Sequence, residues 1–137
     1  MSNELLISST ETSNRIALIH DKKLVEYHID SHTSELAVGD VYLGTVTQLD
    51  AKLNAAFVDI GQSRDAFLHY LDLGPRINSM NKYVQQLTTQ KNASYKLSSY
   101  KIDPDIDKLG KIDEVLKKGQ KILVQIAKEP ISTKGAR

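Results

Sequence analysis

The 137-residue sequence contains no cysteine and no tryptophan, and only two phenylalanines, Phe57 and Phe67. Without cysteine there is no disulfide framework and no thiolate metal site. No apolar run approaches the roughly 18 residues of a membrane-spanning helix. The opening MSNELLISST lacks the basic start and apolar block of a secretory signal, so a cytoplasmic protein is expected. Chemistry-bearing constellations are equally scarce. His20, His28, His32 and His69 are scattered without acidic partners at ligand spacing, and no metal site is expected in this chain. His32 reads as a solvated loop residue. The closest approach to a carboxylate set is Asp103, Asp105 and Asp107, which lacks the glycine and later glutamate of a calcium loop and reads as a solvated acidic turn. With no phosphate-cradling glycine loop and no nucleophile elbow, no catalytic residue is expected.

What is present is an ordinary mixture, 40% hydrophobic and 26% charged, with a net charge of +1. That small net value hides an asymmetry. Residues 1–68 hold five Lys/Arg against ten Asp/Glu, and residues 69–137 hold 13 against seven. A basic second half suits phosphate binding, although lysines on a solvated loop give the same count.

Hydrophobic patterning points to strands. Glu4–Ser9, Asn14–His20 and Leu24–Asp30 form a meander, the last with Val25, Tyr27 and Ile29 alternating against Glu26, His28 and Asp30. Such a unit is too small to be stable alone and must pack on something. The stretch from Gly39 to Leu73 organises the rest. In AAFVDIG, Ala56, Val58 and Ile60 share one face, while Phe57 shares the other with Asp59. In AFLH, Ala66 and Leu68 point one way, Phe67 and His69 the other. Gly44 within VYLGTV suggests a bend, and Tyr42 fits either the aromatic face or the core. Exposed strand aromatics are platforms for stacked bases, but two buried phenylalanines would produce the same pattern.

Residues 74–110 change character: rich in Asn, Ser, Gln, Lys and Tyr, with Pro75 and Pro104, they read as a polar insertion, partly disordered. Only Met80–Leu87 suggests a helix. Lys82, Tyr83, Lys91, Tyr95, Lys96, Tyr100 and Lys101 could extend a nucleic-acid surface or simply be solvated. Lys111–Lys118 reads as a short helix stopped by Gly119. Gln120–Ala127 is a strand with Ile122, Val124 and Ile126 inward, and Ser132–Gly135 is a turn.

VYLGTV, AAFVDIG, DAFLH and STKGAR together resemble the amino-terminal part of the ribonuclease E/G family. The likeness covers Asn3–Leu73 and Ile112–Arg137. It implies a mainly all-β chain: residues 1–37 as the first strands of a ribonuclease H-like subdomain, and 38–137 as an S1-type OB-fold with the 74–110 insertion. An OB-fold has five strands, and the fifth is expected to begin about where this sequence ends, so a fragment is expected. The resemblance implies single-stranded RNA as partner, with Phe57 and Phe67 as stacking residues and Lys134 of the KGA turn on the backbone. His69, Tyr42 and Lys128 complete the expected RNA-binding set. Leu43 stands where relatives often carry a basic residue, which weakens that flank. The family's endonucleolytic centre uses magnesium, its subunits are joined through zinc, and both are expected only in downstream domains of a homo-oligomeric parent. The alternatives are a free-standing S1-type RNA-binding protein and a protein-interaction module using the aromatic face.

Overall fold

The computed structural model describes residues 1–31 and 36–137, so the expectation for His32 lies outside the described residues. The chain divides into two compact units, Met1–Leu36 and Ala37–Arg137. In the first, β1 (Asn3–Ser9), β2 (Ser13–His20) and β3 (Lys23–Ser31) form an antiparallel meander in the order β1-β2-β3. Asp21 and Lys22 join β2 to β3, both with positive φ (46° and 63°). That pair of dihedrals matches the right-handed twist of the flanking strands. Every residue of β1 and β3 is exposed, including Leu5, Ile7, Val25 and Ile29.

In the second unit, β4 (Val41–Asp50), β5 (Ala55–Asp59), β6 (Ala66–His69) and β7 (Lys121–Gln125) form a curled antiparallel half-barrel, ordered β6-β5-β4-β7. Its concave side is the core. Ala56, Val58 and Ile60 are buried there as the alternation predicts, with Val46, Ala66, Ile122 and Ile126. Gly44 allows the curl: a Cβ at this position would run into the Val58 side chain and lie 3.1 Å from the Asp59 carbonyl. The β4–β5 register slips between Val46 and Gln48, an extra residue that bends the strand. At the end of the chain, Phe67 N–H donates to Ala136 O at 2.8 Å, and Arg137 and Lys128 exchange N–H···O bonds of 2.9 and 3.1 Å. Ala136 and Arg137 therefore bridge β6 to the segment after β7, the place where the fifth strand of an OB-fold runs.

The insertion is more ordered than its composition suggests. Helix α1 (Ile77–Thr89) starts three residues before the predicted stretch. It packs on β7 and buries Val84. The remainder is held by polar and aromatic contacts instead of a periodic apolar face. Tyr83 and Tyr100 meet edge to face at 4.9 Å, and Asp103 N–H donates to Ser79 Oγ at 2.8 Å. The return to the barrel is tied by Asn54, whose Oδ1 accepts from Ile112 N–H (2.7 Å) and whose Nδ2 donates to Gly110 O (3.1 Å). The predicted 111–118 helix shrinks to one turn, α2 (Ile112–Val115), which plugs the barrel with fully buried Ile112 beside Leu116.

Candidate nucleic-acid interface

Because β5 and β6 pair with Phe57 directly opposite Phe67, the two rings stand side by side on the outer, convex face. They pack edge to face with centroids 5.8 Å apart. Each is half-buried, so neither belongs to the core. Beside them opens a cleft of about 960 Å³, bounded by Leu53, Arg64, Asp65 and the Lys128–Arg137 segment. Four of the six expected residues, Phe57, Phe67, Lys128 and Lys134, therefore line one site.

The position of Lys134 follows from local backbone. Ile131 O accepts from Lys134 N–H at 3.0 Å across a tight turn in which Ser132 takes φ 54°. Gly135 then passes so close to the Asp65 carbonyl that no side chain fits between them. Arg64 donates to Thr133 O, holding the turn against the strand entering β6. Asp65 is in turn fixed by the Thr47 hydroxyl, 2.6 Å from its Oδ2 and 3.1 Å from Phe57 O. Aromatic pair and lysine turn are thus parts of one hydrogen-bonded frame. At its margin the Arg137 guanidinium grips Asp72 through bonds of 2.9 and 3.2 Å. This bonding holds the Asp72 carboxyl below its ordinary value, with partial burial opposing.

The remaining expected residues fall elsewhere. His69 follows Phe67 on the same face, ring centroids 6.5 Å apart, but its Nδ1 accepts Leu71 N–H at 3.0 Å and caps the turn after β6. Only its Nε2 is left for a ligand. Tyr42 does not join the aromatic face. Its register partner is Val124, and it shares the side of β4 that carries buried Gly44 and Val46. Desolvation, and then the nearby Asp40 carboxylate, raise its phenol pKa above the ordinary value. Arg64, Asp65 and Ile131 line the cleft without having been expected. Arg64 sits between the two aromatic strands in sequence, and a basic residue so placed is the one signal that could have marked it.

Residues 35–130 match the family model of the S1 RNA binding domain. The chain belongs to the S1 RNA-binding domain family. Over 134 residues it is 35% identical to the Ribonuclease G of Haemophilus influenzae, covering 98% of this chain and 23% of that protein. The Escherichia coli Ribonuclease G is 33% identical over 137 residues, 100% of this chain and 24% of its own length. Ribonuclease E of Buchnera aphidicola subsp. Acyrthosiphon pisum is 30% identical over 134 residues, 96% of this chain and 12% of that protein. The chain thus spans about a quarter of the length of these Ribonuclease G relatives. Likeness to the ribonuclease E/G family extends beyond the S1 domain, since the matched segments take in the first sheet as well. No helix among the described residues is long and apolar enough to cross a membrane.

Proposed function

We propose that the S1 domain of this chain holds single-stranded RNA for an endoribonuclease of the ribonuclease E/G type, in the cytoplasm, within a homo-oligomeric parent. The observation that carries this reading is the half-exposed Phe57–Phe67 pair beside a cleft rimmed by Arg64, Lys128 and Lys134. Phe57 and Phe67 each offer a face or edge to a base, Lys134 and Arg64 meet the backbone, and His69 Nε2 stands at the next step along β6. Stacking supplies about 1–3 kcal/mol per base without reading its identity. The phosphate contacts add a term that falls with salt. Among the described residues no three His, Asp or Glu side chains gather to hold a metal ion. Magnesium for cleavage and zinc between subunits are assigned to other segments of the parent, and this chain positions RNA.

Fluorescence anisotropy with a labelled single-stranded RNA of about a dozen nucleotides tests the reading. Each of Phe57→Ala and Phe67→Ala should weaken binding by about fivefold to a hundredfold, the equivalent of one lost stacking contact. Melting temperature should change little. Unchanged affinity in a folded double variant would refute the platform, and RNA-independent self-association through the aromatic face would favour a protein-interaction module.

A further inference from the structure

A second groove lies on the other side of the sheet order, where α1 packs on β7. Its volume is about 900 Å³. Asn78, Asn81, Lys82 and Gln85 line it, at helical spacings that place them on one side of α1. Opposite them stand Lys117, Lys118 and Gln120, in the turn before β7, and Lys121 at its start. Lys82 is neutralised by Asp103 at 2.6 Å, and Asp105 also faces the groove. Lys117, Lys118 and Lys121 remain as exposed cations, with Lys121 Nζ donating to Thr45 Oγ1 at 2.7 Å.

We infer that this groove is a second RNA subsite, which takes the same single strand that stacks on Phe57 and Phe67. This rests on the RNA-binding reading above and extends it. Two observations support it. The first is continuity. Lys121 pairs with Thr45, and Thr45 pairs with Asp59, so the three form a row across the outer face. Phe57 is two residues along β5 from Asp59, on the same face. Two ladder spacings and two residues separate Lys121 from Phe57, about 10 Å across the sheet and about 7 Å along it. A strand leaving the platform passes the one carboxylate of that row, Asp59, whose Oδ1 is engaged by Gly61 N–H at 2.8 Å. It then meets three lysines.

The second observation is chemical. Three side-chain amides, Asn78, Asn81 and Gln85, share the groove side of α1; those of Asn78 and Gln85 can donate and accept toward a base edge. The Oδ1 of Asn81 is buried without a hydrogen-bond partner. A buried acceptor left unpaired is costly, and a base N–H reaching it as the groove fills would relieve that cost. Gln120 Oε1 accepts Lys117 N–H at 3.0 Å, which fixes the turn and leaves the Gln120 amide N–H groups toward the groove. A small inorganic anion would use the lysines and leave these amides idle.

The test compares RNA length on the full chain. Oligonucleotides of about 4 and about 14 nucleotides, near the ends of the range that one OB-fold occupies, are titrated into wild type and Lys117→Ala/Lys118→Ala. These exposed side chains lie outside the core, and a melting curve checks folding. The short RNA should bind both proteins alike. The long RNA should bind the variant several-fold more weakly, with a log-log salt slope smaller by about 1.4 units for two lost phosphate contacts. The Asn81 side-chain amide resonance should shift with the long RNA and not with the short one. Equal affinity and slope for the long RNA would overturn the second subsite, as would equal weakening for both lengths. If wild type binds neither RNA, the RNA reading itself fails and this one with it. Phe57→Ala/Phe67→Ala separates the two cases, since it should lose both RNAs whether or not the groove is used.

Discussion

β3 in the first sheet and β5 in the second both alternate in sequence, yet they end in opposite environments. In β3, Val25, Tyr27 and Ile29 form a clean apolar row and all three remain more than half exposed. In β5, Ala56 and Val58 are completely buried while their neighbour Phe57 stays half-exposed. The difference does not lie in the strands. It lies in what covers them. The half-barrel curls at Gly44 and closes its concave side with Ile112 of the α2 turn and Leu116 just after it, whereas among the described residues of the first unit nothing covers β3. Period-two alternation therefore shows which residues share a face. Whether that face is wet depends on residues far away in sequence.

Paired core substitutions probe that contrast most forcefully. Ile112→Ala empties the centre of the barrel and should cost about 2–5 kcal/mol, the range for deleting a fully buried isoleucine. Ile29→Ala, at 61% exposure, should change stability by no more than about 0.5 kcal/mol. Urea unfolding followed by circular dichroism reads both. Comparable losses would mean that the first sheet is buried in solution and that the contrast is wrong.

Asn54 provides a sharper cut, because it links the β4–β5 turn to the end of the insertion. Asn54→Ala leaves Ile112 N–H and Gly110 O without their partner and places alanine at φ 50°. A loss of about 1–3 kcal/mol is expected from the unpaired groups. Asn54→Gly tolerates the dihedral but not the missing bonds, so it should recover only part of the loss. Full recovery would show that backbone conformation, and not the tether, holds the insertion in place.

The smallest effect concerns acid. Asp72 is held below the ordinary carboxylate value, first by its hydrogen bonds to Arg137. A carboxyl whose folded pKa is depressed adds stability that is present above its unfolded value, near 4, and lost as pH falls through the folded value. Asp72→Asn should therefore melt slightly lower than wild type at neutral pH, and the gap should close below about pH 4. A gap that persists unchanged into acid would show that the bridge to Arg137 contributes nothing.

Much of this was legible in the sequence. Alternation groups Ala56 with Val58 and sets Phe57 and Phe67 on the opposite faces of their strands, while the outward side of that pair and its neighbour Lys134 were legible only through the family resemblance. Other features depend on long-range closure. Tyr42 has a polar tip and an apolar ring, so its sequence fits either face, and only the pairing with Val124 places it on the inner side. Arg64 becomes part of the cleft because the Ile131–Gly135 turn folds onto it from nearly 70 residues away. The insertion reads as a linker because Tyr83, Tyr100, Ser79 and Asp103 order it through aromatic and polar contacts that leave no apolar period. Asn54 is the plainest case: a turn residue by composition, and a tether by virtue of partners 56 and 58 positions away.

The central claim is that RNA meets the outer face of the half-barrel and not the exposed apolar sheet of the first unit. Backbone amide shifts of the isotope-labelled chain, followed by NMR during titration with single-stranded RNA, test it most directly. The largest changes are expected at Phe57, Arg64, Phe67 and Lys128–Arg137, with β1–β3 unmoved. Changes concentrated in β1–β3, with the Phe57 and Phe67 amides silent, would contradict it.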